Sequence, residues 1–273
     1  MDKIKTIIKL FTSPIVLKFF KIFRKDIIRF RKTNLSWEAA HDKTSKGYFS
    51  GNILNKCKDS LLKVKKGEYP YERDSVLFSE KEIFYPLLSS LFYVALKNEK
   101  KLNIIDFGGS LGSTYFQNKD ILKQAGIIIN WNIIEQENFV KCGKEYFSDN
   151  ELHFFNSIDE INNNVISAVL FSSVLPYLKE PYTILDYVMK YDINYILIDR
   201  TVFLDDETED ILTIQNVPAE IYTASYPAWF LSLSKFLDFA KKKYNIIFKW
   251  NSLDQYTLKN YKTTGHGFLL KKH

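Results

Sequence analysis

The stretch NIIDFGGSLG, residues 103–112, decides the fold class and leaves two chemistries open. Its apolar first half predicts a buried strand, and its glycines predict a tight turn that leads into a helix. Read from Gly108, the stretch contains the G-x-S-x-G elbow of serine hydrolases. Read from Asp106, it is an acidic residue before a glycine-rich turn, the kind of loop that holds a nucleotide cofactor. Ser110 is therefore either a nucleophile or a small residue beside a cofactor.

Short apolar strands alternate with helical stretches from this point onward. We predict strands at 103–107, 130–135, 152–156, 167–173, 194–199, 245–250 and 267–272, and helices at 113–125, 138–146, 181–190 and 233–243. Apolar strands separated by helices are typical of a parallel sheet that is buried on both faces. No helix separates the last two strands, so we expect them to pair with each other. The prediction is an α/β, Rossmann-like domain at 101–273 that follows a helical cap at 33–100.

Composition narrows the possible classes of protein. The 273 residues are 46% hydrophobic, and the two cysteines, Cys57 and Cys142, have no cysteine or histidine close by in sequence. We therefore expect no metal site, no disulfide framework and a reducing, cytoplasmic location. Residues 1–32 hold ten Lys or Arg and two Asp, a charge of +8 in a chain of net charge +6. Because the remaining chain is close to neutral, we do not expect nucleic-acid binding.

Residues 1–32 are predicted to form a basic helical arm. From residue 15 to residue 32, apolar positions rich in Phe follow one helical face, and Lys or Arg follow the other. Such a helix can lie on an anionic membrane surface, here the inner membrane face, or it can dock on the domain. No segment reaches the roughly 20 apolar residues of a membrane span. Both placements of the arm stay open.

The two interpretations of the opening stretch differ in their support. A hydrolase needs Ser, Asp and His in this chain order, and Ser110, Asp199 and His266 supply them. However, the elbow would stand on the first strand of the domain, with no His-Gly oxyanion loop before it. A cofactor loop gains a second match, because Glu135 ends the next predicted strand 23 residues after Gly112. An acidic residue there binds ribose hydroxyls, but the G-x-G-x-x-G pattern of dinucleotide sites is absent.

The same stretch resembles the first motif of class I S-adenosylmethionine (SAM) methyltransferases, D/E-x-G-x-G-x-G. Asp106, Gly108 and Gly112 match this motif, and Ser110 replaces the middle glycine. The resemblance extends to WEAA (37–40), YERD (71–74), IIEQ (133–136), SSVLPYL (172–178), IDRT (198–201) and VPAEIYTASYPAWFLS (217–232). Together these resemble a family of SAM-dependent methyltransferases associated with bacterial cell-surface polysaccharide and O-antigen gene clusters. The resemblance spans roughly residue 36 to the end.

The resemblance implies a fold, a cofactor and a set of binding residues. The fold would be the Rossmann-like class I methyltransferase fold, seven mostly parallel strands with a final antiparallel strand, after a helical N-terminal extension. SAM would be the cofactor. Asp106 would bind its methionine amino group, and Glu135 would bind its ribose hydroxyls. The other implied contacts are the turn (Gly108, Gly109, Ser110, Gly112), the adenine side (Asn156 or Ser157) and the border between methionine and acceptor (Ser172, Ser173).

Candidates for the acceptor side come from the later strands. Asp199, at the end of a strand, and His266, in a predicted loop, are candidate general bases, since a hydroxyl acceptor must lose its proton. The alternatives are a salt bridge to Arg200 or a helix cap for Asp199, and a structural or loop histidine for His266. Candidate substrate contacts are Tyr177, Arg200, Tyr222, Tyr226 and Trp229.

Three functions are compatible with these residues. The first is O-methylation of a sugar or other group of a cell-surface glycan, or of its nucleotide- or lipid-linked precursor. The second is a serine hydrolase that uses Ser110, Asp199 and His266. The third is a catalytically inactive methyltransferase fold that serves as a scaffold in glycan assembly.

Overall fold

The structure is a computed structural model that describes residues 28–44, 51–161, 165–217 and 224–273. Within these ranges, a ten-stranded sheet forms the centre of the molecule. Its strands are β1 (Arg29–Lys32), β4 (Lys101–Phe107), β5 (Ile128–Ile134), β6 (Leu152–Phe155), β7 (Ala168–Ser172), β8 (Tyr195–Leu204), β9 (Ile211–Val217), β10 (Ala224–Ser232), β11 (Tyr244–Asn251) and β12 (Thr263–Lys272). A separate hairpin consists of β2 (Tyr71–Arg73) and β3 (Val76–Phe78).

Seven of the ten strands correspond to the seven predicted strands. Strands β6, β5, β4, β7 and β8 lie side by side in this order and are parallel. Strand β12 pairs antiparallel with β8, and β11 pairs antiparallel with β12. This topology confirms the predicted fold class, a mostly parallel Rossmann-like sheet of the class I methyltransferase type that ends in an antiparallel strand.

Helices cover both faces of the sheet. The described helices are α1 (Trp37–Asp42), α2 (Gly51–Lys65), α3 (Tyr85–Lys97), α4 (Ser113–Gln124), α5 (Glu137–Tyr146), α6 (Pro181–Val188) and α7 (Leu233–Ala240). Helices α2 to α5 pack on one face of the sheet, and α6 and α7 pack on the other. Neighbouring strand residues such as Ile104 and Ile105 point into opposite cores, which is why the strands are apolar throughout. Among the described residues, no helix is long and apolar enough to cross a membrane.

The prediction of a helical arm over residues 1–32 is wrong for its last four residues. Residues 29–32 form β1, which pairs antiparallel with β9, and the Phe30 ring packs on Phe230 and Tyr256. Apolar and basic residues alternate over Ile28 to Arg31, so this segment fits a strand as well as a helix. Hydrogen bonds to the backbone of β9 stabilise the strand. The rest of the predicted arm, residues 1–27, lies outside the described residues.

The cap region at 33–100 contains α1, α2 and α3, together with the β2–β3 hairpin that we did not predict. Its two-residue turn, Asp74 and Ser75, has positive φ at both positions, which is the geometry of a tight hairpin turn. The antiparallel β9–β10 pair was also not predicted. This pair lies beside β8 and brings residues 224–232 close to the carboxyl ends of the parallel strands.

Candidate active site

The glycine-rich turn connects β4 to α4. Gly108, Ser110 and Gly112 all have positive φ, with 54° at Ser110. A left-handed backbone favours glycine, so Ser110 occupies a position that suits the glycine of the methyltransferase motif. A side chain at Gly109 would place its Cβ 2.6 Å from Cγ of Asp106. The turn therefore holds bare backbone against the carboxyl group that precedes it.

Asp106 lies under this turn with one oxygen lacking a partner. Its side chain is 1% exposed, and Oδ2 accepts a hydrogen bond from Nε1 of Trp131 at 3.0 Å. Oδ1 is buried and has no hydrogen-bond partner. Burial raises the pKa of Asp106 to about 7, although the Trp131 hydrogen bond lowers it. Because a buried unpaired carboxyl oxygen is costly, this site is suited to a cationic donor group.

Glu135 supports the turn from the other side. Its Oε1 accepts from the backbone N–H of Ser110 at 3.2 Å, and its Oε2 accepts from that of Gln136 at 2.9 Å. Burial raises the pKa of Glu135. Asn156 is exposed and Ser157 is half-buried, just before a 3₁₀ turn. None of the three predicted contacts Glu135, Asn156 and Ser157 lines the cleft, so their roles toward ribose and adenine stay predictions.

A cleft of about 950 Å³ opens in front of the turn, at the carboxyl ends of the parallel strands. This is the usual ligand position in open α/β sheets. The β2–β3 hairpin, next to the start of α4, forms part of its wall. The predicted residues that line the cleft are Asp106, Gly108, Gly109, Ser110, Ser172, Ser173, Tyr177, Asp199, Arg200 and Tyr226. The cofactor and acceptor candidates thus meet in one space, while Tyr222 lies outside the described residues.

Asp199 lies in the cleft two strands away from Asp106. Its side chain is 1% exposed; Nε1 of Trp250 donates to Oδ1 at 3.1 Å, and the Ser172 hydroxyl lies 3.4 Å from Oδ2. Burial raises the pKa of Asp199. Its neighbour Arg200 has φ of 51°, and the pairing of β8 with β12 shifts register beside it. This bulge lets two consecutive side chains line the cleft, although strand residues normally alternate between faces.

We did not predict the two tryptophan residues that donate hydrogen bonds to Asp106 and Asp199. Trp131 and Trp250 lie on the strands β5 and β11, and each donates its indole N–H to a carboxyl group of the cleft. A Cβ at Gly267 would overlap the Trp250 ring, so a glycine is required where β12 passes it. The available signal was a tryptophan within each of two predicted strands, but which carboxyl it would meet depends on the strand order.

His266 is not part of the cleft. It lies in β12, not in the predicted loop, and its ring packs between Phe203 and Phe268 at centroid distances of 6.3 and 5.9 Å. These two phenylalanines belong to the core on the α6–α7 face, whereas Asp199 is on the face of α2–α5, in step with Leu197. The sheet therefore separates His266 from Asp199. The hydrolase triad with Ser110 is not assembled.

Two predicted substrate residues have structural partners instead. Trp229 stacks on Trp37 at 5.9 Å, donates its indole N–H to the Lys179 carbonyl at 3.3 Å and lies outside the large cleft. Arg200 does line the cleft, but it donates to carboxylate oxygens of Asp254 at 3.0 Å and Asp74 at 2.6 Å. Arg200 thereby ties the hairpin to the β11–β12 connection across the cleft.

The hairpin also contributes a buried carboxyl group that we did not predict. Glu72 is 3% exposed, Oε1 accepts a hydrogen bond from the Ser113 hydroxyl, and Oε2 accepts from the backbone N–H of Ser75 at 3.0 Å. Burial raises the pKa of Glu72 to about 7. Ser113 is the first residue of α4, so this contact fixes the hairpin onto the helix that follows the glycine-rich turn. In the described part of the chain, no group of three His, Cys, Asp or Glu side chains could hold a metal ion.

No protein-family model matches the sequence, and no curated protein is detectably similar to it. Several solved structures are similar in fold. Magnesium protoporphyrin IX methyltransferase from Synechocystis with bound SAM has 10% sequence identity and a TM-score of 0.44, over 69% of this chain and 79% of that chain. The N-terminal domain of EvdMO1, in the presence of S-adenosylhomocysteine and D-fucose, has 12% identity and a TM-score of 0.44, over 81% and 96%.

An amino pentose methyltransferase from Micromonospora echinaspora, involved in calicheamicin biosynthesis, has 8% identity and a TM-score of 0.42. It matches over 70% of this chain and 92% of that chain. At these identities, what the chain binds and transforms has to be inferred from its own side chains.

Proposed function

We propose that this protein is a SAM-dependent methyltransferase that O-methylates a sugar or other group of a cell-surface glycan or its precursor. The observation that supports it most is Asp106, whose buried Oδ1 has no partner beside a turn of bare backbone. The methionine group of SAM carries an ammonium that would satisfy this oxygen. Gly108 and Gly109 have no side chain, so this part of the turn presents backbone atoms to the cleft where the cofactor would pass. The cleft residues therefore fit SAM.

Asp199 is the residue best placed to accept the proton of an acceptor hydroxyl. When bound, SAM supplies an electrophilic methyl group, so the acceptor oxygen needs to lose its proton as it forms the new bond. Trp250 and Ser172 hold the two oxygens of Asp199 in a fixed orientation. Burial raises the pKa of Asp199, which makes it a stronger base than an exposed carboxylate. Fixed positioning contributes the remaining part of the rate.

The far end of the cleft suits a hydroxylated acceptor. Gln215 of β9 lines it, is 2% exposed and has a buried amide oxygen without a hydrogen-bond partner. This oxygen can accept a hydrogen bond from a hydroxyl group. Tyr177 and Tyr226 line the same end with their rings edge to face at 5.4 Å. Aromatic rings and a buried amide together favour a sugar, in agreement with the family that the sequence resembles.

We further propose that residues 1–27 bind an anionic membrane surface at the inner membrane face. The segment is rich in Lys and Arg, and it joins the described chain at Ile28, which lines the cleft. A membrane contact there would place the cleft opening near a lipid-linked acceptor.

Isothermal titration with S-adenosylhomocysteine (SAH) tests the cofactor. We expect micromolar binding by the wild-type protein and a loss of about 10- to 100-fold in Asp106→Asn, the usual effect of losing a charged hydrogen bond. Asp206→Asn is the matched control, because Asp206 is exposed and lies outside the cleft. If wild-type protein binds neither SAM nor SAH, the proposal fails, and a scaffold role becomes the better explanation.

A further inference from the structure

Two buried polar atoms of opposite charge line the cleft without a hydrogen-bond partner. One is Oδ1 of Asp106, and the other is Nη1 of Arg73 in the β2–β3 hairpin. The nearest acidic partner of Arg73 is Glu82, at 3.9 Å, which is too far for a hydrogen bond. The Arg73 guanidinium also lies over the Phe78 ring, 5.5 Å from its centroid. The Arg73 side chain is 26% exposed, so its guanidinium opens to the cleft while Nη1 stays buried, and an acceptor group of a ligand there would satisfy this nitrogen.

The hairpin holds Arg73 in place from both sides along the chain. Glu72, the preceding residue, is hydrogen-bonded to Ser113 at the start of α4. Asp74, the following residue, is ion-paired with Arg200 of β8 at 2.6 Å. Both contacts anchor the hairpin to elements that line the cleft. The position of Arg73 toward the cleft is thus determined by tertiary contacts and not by a mobile surface loop.

A guanidinium is suited to a carboxylate, because its planar fork of N–H groups matches the carboxylate oxygens. The opposite-charge pair of Asp106 and Arg73 therefore matches a zwitterion that presents an ammonium and a carboxylate to the same cleft. The methionine group of SAM is such a zwitterion. The other basic residue of this wall, Lys81, is already paired with Asp120 of α4 at 3.5 Å.

We propose that Arg73 binds the carboxylate of the cofactor's methionine group while Asp106 binds its ammonium, so that the N-terminal hairpin completes the cofactor site. This assignment rests on the proposed function and adds to it a binding residue from the cap. It also explains why the YERD stretch, residues 71–74, lies against the glycine-rich turn.

The test compares three ligands that differ in these two charges. SAH has both the carboxylate and the ammonium, S-adenosyl-3-thiopropylamine lacks the carboxylate, and 5′-methylthioadenosine lacks both. For Arg73→Gln we expect SAH affinity to fall about 10- to 100-fold, with unchanged affinity for the other two ligands. For Asp106→Asn we expect weaker binding of SAH and of the amine, and unchanged binding of methylthioadenosine. Lys81→Gln, which removes a charge from the same wall, should leave all three affinities within about threefold of wild type.

Two further results decide the assignment. Arg73→Lys keeps the positive charge but lacks the planar set of guanidinium N–H donors. Its SAH affinity should therefore lie between those of Arg73→Gln and wild type. An equal loss for SAH and for the amine in Arg73→Gln would overturn the assignment, because Arg73 would then act on the fold or on another part of the ligand. That outcome differs from failure of the proposed function, in which the wild-type protein binds none of the three ligands.

Discussion

Asp106→Asn should remove a large part of the stability loss that we expect as pH rises. Burial raises the pKa of Asp106 from its ordinary value of 3.8 to about 7. Between these two values, the folded protein keeps a proton that the unfolded chain has already released. The free energy of unfolding therefore falls as pH increases through this window, and the contribution levels off above about pH 7.

The size of the effect follows from the shift. One pKa unit corresponds to about 1.4 kcal/mol, so roughly three units amount to about 4 kcal/mol once the group is fully ionised. About 2 to 3 kcal/mol of this is lost between pH 5 and pH 8, because the unfolded chain is already mostly ionised at pH 5. In Asp106→Asn no charge develops, and the Trp131 indole still has an oxygen to which it can donate.

Urea denaturation at several pH values between 5 and 8 measures this loss of unfolding free energy. The difference in unfolding free energy between Asp106→Asn and wild type should grow by about 2 to 3 kcal/mol over this range. Titrating groups that do not interact with Asp106, such as Glu72, are present in both proteins and cancel in the difference. Glu135 does interact with Asp106, and its charge is one of the causes that raise the pKa of Asp106, so its contribution is part of the measured difference. Asp206→Asn, with its exposed side chain, should run parallel to wild type. Parallel curves for Asp106→Asn as well would refute the reasoning.

The ionisation of Asp106 should also make the affinity for SAH depend on pH. An ammonium beside Asp106 favours the charged carboxylate, so binding releases a proton below about pH 7. SAH affinity of wild type should then rise with pH, by at most about tenfold per pH unit, and level off above pH 7. Asp106→Asn should show weaker binding without this slope. If SAH affinity of Asp106→Asn depends on pH as it does in wild type, the released proton comes from another group.

Five other changes have defined outcomes. Ser110→Gly should leave SAH affinity within about threefold and unfolding free energy within about 1 kcal/mol, because φ is already left-handed; a serine hydrolase would lose its activity. Gly109→Ala should weaken SAH binding and destabilise the protein by about 1 to 3 kcal/mol, since its Cβ meets Asp106. Trp131→Phe should weaken SAH binding, whereas Trp250→Phe should spare it and lower turnover. Deleting residues 1–27, which leaves β1 intact, should abolish sedimentation with anionic liposomes and preserve SAH binding; equal sedimentation of both forms would contradict a membrane role.

The features that could be predicted from the sequence are those that depend on local pattern. Apolar strands between helices predict a parallel sheet, and the residues after Phe107 predict a turn because glycine tolerates left-handed backbone. Asp106 follows from these, since a residue at the carboxyl end of the first strand faces the ligand crevice. The cofactor side of the cleft was therefore accessible from a single stretch of ten residues.

The features that could not be predicted depend on contacts between distant segments. Ile28 to Arg31 fit a helix and a strand equally well, and only the edge of β9, almost two hundred residues later, decides between them. His266 stands in a Gly-His-Gly pattern that suggests a functional loop. In the structure, one of these glycines, Gly267, makes room for Trp250 instead. Arg73 stands in the YERD stretch that carries the resemblance, but neither Arg73 nor Gln215 was assigned a role, because a residue is recognised as lacking a partner only when its surroundings are known.

The strand order and register of the sheet hold Asp106, the proposed cofactor-binding residue, apart from Asp199, the proposed base. Asp106 is level with Leu170 of β7, and Asp199 is level with Ser172 of the same strand. Two strand spacings of about 4.8 Å and two residues along the strand place the two Cα atoms roughly 12 Å apart. That distance is too long for the carboxyl groups to share a proton, but it leaves room for two ligands end to end. Because each carboxyl group has its own indole donor, cofactor binding and proton removal can be disturbed independently, which a shared carboxyl pair would not allow.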